Sequence, residues 1–66
     1  MNTRKDVTMK YQLIRAYDDC SSATESADSI VNLLAAAAIY LEDTSCIKVE
    51  IVDRENNKII MNYWRD

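Results

Sequence analysis

The chain has 66 residues, a formal net charge of -3, 29% charged residues of both signs, two cysteines and no histidine, glycine or proline. At this length it is a single domain, 1–66, of a size at which folding buries only about 60% of the unfolded surface and one core is marginal without a disulfide, a metal or a partner chain. Without histidine the commonest general acid–base group is missing. With only Cys20 and Cys46 as thiols there is no four-ligand zinc site, and without glycine there is no phosphate-cradling loop.

Other classes fall away for related reasons. Asp18, Asp19, Glu25 and Asp28 lack the alternating spacing and turn glycine of a calcium loop. The mildly acidic balance lacks the basic stripe of a nucleic-acid binder. The longest apolar run, about twelve residues, falls short of the roughly 20 that cross a bilayer. With no secretory leader before the first strand, a reduced, cytoplasmic protein is expected.

In chain order, residues 1–6 read as a flexible N-terminal arm. Val7 to Ala16 alternates, with Val7, Met9, Tyr11 and Leu13 on one face and Thr8, Lys10 and Gln12 on the other, the period of a half-buried strand. A polar cluster from Asp18 to Ser22 follows. Ser22 and Glu25 form a capping-box pattern, which predicts a helix from about Ala23 to Asp43. Cys46 to Val52 alternates again, with Ile47, Val49 and Ile51 inward. Asp53 to Lys58 is a turn in which Asn56 and Asn57 take the place of glycine. Ile59 to Trp64 is the last strand.

These elements predict an α+β fold of order β-α-β-β, a three-stranded sheet covered on one face by a single long helix. A strand–helix–strand unit normally places its two strands parallel. Because Ile59 to Trp64 is apolar on both faces, the third strand is expected in the centre, giving the order 1-3-2. The intervening helix would then hold Cys20 and Cys46 too far apart for a disulfide within the chain.

At about 100° per residue, Ala23, Ala27, Ile30, Val31, Leu34, Ala37, Ala38 and Leu41 share one stripe of this helix, expected to face the sheet. Leu33, Ala36, Ala37 and Tyr40, at i, i+3, i+4 and i+7, form a second seam. It is expected to pack on another chain, most simply a copy of the same protein in a homodimer. Ile14, Val52, Ile60 and Trp64 are expected on the opposite face of the sheet, open to a different protein partner. Trp64 there is either a cover for the sheet end or an interface anchor.

The function expected from these features is protein binding without catalysis, with no cofactor and no metal. Compact size and surplus apolar faces suit an inhibitor of a bacterial defence or regulatory complex, of the kind phages and mobile elements make, which is an analogy of architecture alone. The alternative is a binder of a small anionic molecule between subunits, with Arg15 or Arg54 as the contacts. A catalytic Cys20 lacks a histidine to activate it.

Overall fold

The structure, a computed structural model, describes residues 9–65. The expected arm at residues 1–6, and Val7 and Thr8 of the first predicted strand, lie outside the described residues. Five elements follow in order: β1 (Tyr11–Tyr17), β2 (Ser22–Ala27), α1 (Ile30–Tyr40), β3 (Cys46–Asp53) and β4 (Lys58–Trp64). The class is α+β with one helix, as the periodicities predict. The sheet differs from the expected one: it has four strands in the order β2-β1-β3-β4, every neighbouring pair antiparallel.

The difference arises at Ser22–Ala27. Its side chains alternate between exposed Ser22, Thr24 and Ser26 and half-buried Ala23, Glu25 and Ala27, a strand built from small and polar residues. It pairs along β1 from Tyr11↔Ala27 to Ala16↔Ser22. The two strands are joined by a tight turn in which the Tyr17 N–H donates to the Ser21 carbonyl at 2.9 Å. Cys20 holds the turn with φ 73°, a left-handed conformation that a residue bearing a Cβ adopts at a cost. Pairing with β1 satisfies the backbone of β2 completely on one side, and this outweighs the helix preference of its alanines and glutamate.

The helix therefore starts later, with Ser29 as N-cap in extended conformation and no side-chain capping bond. The capping box expected at Ser22 and Glu25 does not form. The crossover logic survives in altered form. Since β2 and β3 both run antiparallel to β1, the strands joined by α1 are parallel to each other with β1 between them.

The buried core consists of Leu13 on β1, Leu33 and Ala37 on α1, and Cys46, Val49 and Ile51 on β3. Six side chains, one of them alanine, are a small core for the described chain, and they place it at the marginal end of stability. Around it, polar contacts close the ends. Asp53, nearly buried, accepts N–H bonds from Glu55 at 3.0 Å and Asn56 at 3.2 Å and a bond from Asn56 Nδ2 at 2.9 Å, which shapes the β3–β4 turn. Asn57 completes that turn at φ 56°, as its sequence position predicts. Past β4, Arg65 donates to the carbonyls of Leu41 at 2.7 Å and Cys46 at 3.0 Å, placing a cation at the negative end of α1. Both cysteines are free thiols, Cys20 exposed and Cys46 buried.

Candidate protein-binding surfaces

Helix α1 is apolar nearly all round, so its orientation decides what the molecule shows to its surroundings. Leu33 and Ala37 are buried, and Ile30, Ala36, Tyr40 and the following Leu41 pack against the core. The seam of Leu33, Ala36, Ala37 and Tyr40, expected to face outward, is thus the one that faces the sheet. Starting the helix at Ile30 rather than Ala23 removes Ala23 and Ala27 from the helical stripe. The choice of face then falls to the largest side chains that a close-packed sheet can take, and Leu33 and Tyr40 meet it.

The outward side carries Val31, Leu34, Ala35, Ala38 and Ile39, again at i, i+3, i+4, i+7 and i+8. Val31 is 67% exposed, Ile39 65% and Leu34 44%. The polar Asn32 lies at its margin, and no charged residue occurs between Ser29 and Glu42. Scattered exposed apolar residues are ordinary on soluble proteins, whereas a contiguous uncharged stripe three turns long makes this side of α1 a candidate contact surface.

The back of the sheet is mixed. Directly opposed residues share a face, so Gln12 with Val52 and Ile59, Ile14 with Thr24, Glu50 and Asn62, and Ala16 with Lys48 and Trp64 all point away from α1. Ile14, Val52 and Trp64 lie where the alternation places them. Ile59, which strict alternation with Ile60 would put on the helix side, does not. Between Ile51↔Met61 and Val52↔Ile59 the register slips, leaving Ile60 unmatched, and both isoleucines come to the back. Ile59 and Trp64 are each 59% exposed and Ile60 45%. The Lys48 ammonium lies 4.8 Å from the centre of the Trp64 ring and 3.8 Å from Glu50, so this face has an apolar strip along β4 beside a charged pair.

Arg15 and Arg54 are far from equivalent and do not converge. Arg15 rises from the helix side of β1 into a half-buried cluster. Its Nε donates to the Tyr17 hydroxyl at 2.8 Å, its Nη1 to Glu25 at 2.9 Å, and its guanidinium stacks 4.1 Å from the centre of the Tyr40 ring. The Tyr40 hydroxyl donates to the same Glu25 oxygen. That bond to a carboxylate, with burial adding to it, raises the Tyr40 hydroxyl above its ordinary pKa despite the nearby Arg15 charge. The cluster ties β1, β2 and α1 together and uses the donors an anion would need. Tyr17, which the sequence did not single out, and Glu25, expected instead in a capping box, complete it. The alternation of β2, once recognised, would have aimed Glu25 at Arg15.

Arg54 is exposed beside an open cleft of about 300 Å³ lined by Met9, Lys10, Arg54 and Glu55. Glu55 lies 3.6 Å from the Lys10 ammonium, so an anion entering there competes with a carboxylate already in place. Among the described residues no three histidine, cysteine or carboxylate side chains are placed to hold a metal ion, and no helix is long and apolar enough to cross a membrane. The chain matches no known family, no curated protein and no solved structure.

Proposed function

We propose that this protein works by binding another protein, without catalysis, and that the outward side of α1 is the surface it uses. The observation that carries this reading is the uncharged stripe of Val31, Leu34 and Ile39, exposed on a helix whose other side already fills the core. Covering a large apolar side chain fully contributes roughly 1.5–3 kcal/mol, so three such side chains on one face amount to a gross stabilisation of several kcal/mol for a complex. Ala35 and Ala38 between them let a partner surface approach the helix closely. An inhibitor that occupies the working surface of a larger complex is the form of activity that suits so small a chain.

Native mass spectrometry of the protein purified from its source, with and without Val31→Glu and Ile39→Glu, tests the reading. The wild type is expected to carry a stoichiometric protein that both variants lose while keeping their fold by circular dichroism. A retained small molecule in its place, or a partner retained equally by both variants, would refute it.

A further inference from the structure

We propose that β4 pairs with β4 of a second copy of this chain, edge to edge and antiparallel, to make one continuous eight-stranded sheet. The inference rests on the backbone of β4 and stands whether or not a different protein covers α1. Among the described residues β4 is the last strand of the sheet. The Arg65 N–H donates to the Ile47 carbonyl at 2.8 Å, and successive residues of an antiparallel pair alternate between exchanging hydrogen bonds and facing away. Met61, Tyr63 and Arg65 thus turn their backbone groups toward β3. Asn62 and Trp64 turn theirs outward, with Ile60 next in line at the bulge.

Sheet edges are usually blunted by charge, proline, shortness or cover. The other edge, β2, fits that pattern: it has six residues, every one small or polar, and Glu25 at its centre is held by Arg15. β4 has seven residues, and its stretch from Ile59 to Trp64 carries no charge and no proline, with Asn62 as its one polar side chain outside the tyrosine and tryptophan heads. The bulge protects only its beginning.

A two-fold centred on Asn62 uses every outward residue. Asn62 then faces Asn62 of the other copy, Ile60 of each copy lies opposite Trp64 of the other on the back face, and Met61 lies opposite Tyr63 on the helix side. On either side of the central Asn62 pair apolar residues meet apolar or aromatic ones, and the back strips of Ile59, Ile60 and Trp64 flank that pair on one face. Seven-residue strands span about 24 Å. With those side chains they bury on the order of 500 Å² per chain, less than the roughly 800 Å² per partner of a standard interface. An interface of that size belongs with weak, concentration-dependent complexes.

Light scattering on the full chain from about 10 to 500 µM is expected to show the mass rising to twice that of one chain. Asn62→Pro removes an N–H that the alternation along β4 turns away from β3, and Ile60→Lys adds an edge charge. Each should leave the circular dichroism of the dilute protein unchanged and stay monomeric throughout. In the wild type, amide exchange at Asn62 and Trp64 should slow at least tenfold with concentration, while Met61 and Tyr63, already bonded to β3, do not respond. A wild type that stays monomeric, exchange at Asn62 and Trp64 that ignores concentration, or a dimer that survives Asn62→Pro and is dispersed by Val31→Glu would each overturn the proposal.

Discussion

Two residues hold backbone conformations that their side chains oppose, and they differ in how well they suit the task. Asn57 at φ 56° is one of the few residue types that tolerate the left-handed region, because its short amide can bond locally. Cys20 at φ 73° has no such compensation, and its exposed side chain packs on nothing in the core. Replacing Cys20 with glycine should therefore raise stability by about 0.5–1 kcal/mol, with the gain limited by the looser unfolded chain. Cys20→Val should lower it by about 1–2 kcal/mol. At Asn57 glycine should be neutral or better and valine worse. Urea unfolding of the four variants decides, and equal stability for glycine and valine at either position would show that the position is not left-handed in solution. The two sites were unequally legible. Asn57 follows a strand pattern and precedes another, so its role could be read from neighbours. Cys20 carries no turn preference, and only the hairpin it closes, itself hidden, reveals what the backbone asks of it.

At the scale of elements, strands with large apolar residues are readable and strands without them are not. β3 and the body of β1 were legible because Leu13, Val49 and Ile51 recur at period two, whereas Ser22–Ala27 has no large side chain and mimics a helix start. Its strand identity comes from β1, a partner that local sequence cannot display. The facing of α1 failed for a second reason. A helix apolar on every side carries no moment to orient it, and the buried side is chosen by the sheet beneath and by the Arg15, Glu25 and Tyr40 cluster at its end. That choice has a direct consequence. Leu33→Ala, in the core, should cost about 2–5 kcal/mol. Leu34→Ala, one position on and 44% exposed, should cost well under half as much. The pair is compared by thermal and urea unfolding of dilute protein. A larger loss at Leu34 than at Leu33 would mean that the helix presents its other side to the sheet.

Across the whole molecule the turns are held by carboxylates, which is how a chain without glycine or proline closes its connections. Asp19 in the β1–β2 turn accepts the Ser21 N–H at 2.9 Å and the Ser21 hydroxyl at 2.5 Å. Asp43, after α1, accepts the Ser45 N–H at 3.0 Å and hydroxyl at 2.8 Å, and Asp53 shapes the β3–β4 turn. All three carboxyls are held below their ordinary pKa, by the Ser21 hydroxyl and N–H, by the Ser45 hydroxyl and N–H, and by the Asn56 amide and the turn N–H groups respectively. A carboxyl whose folded pKa is depressed adds stability above its unfolded pKa, near 4, and that contribution is lost as pH falls through the lower folded value. The three contributions are all lost on acidification, because the three pKa values are lowered, and the loss comes where the chain's acidic groups neutralise and its 8 lysine and arginine charges are left to repel one another. The urea midpoint should be level from pH 7 to about 5 and fall steeply below about 4. Asparagine preserves the turn-accepting oxygen without the charge. The triple variant Asp19→Asn, Asp43→Asn, Asp53→Asn should therefore be less stable at pH 7 and lose less on acidification. Both proteins keep the same 8 lysine and arginine charges at low pH, so the difference between their slopes reports the three carboxylates. A wild type equally stable at pH 7 and 3, or a triple variant with the same acid slope as the wild type, would show that these carboxylates do not hold the connections in solution.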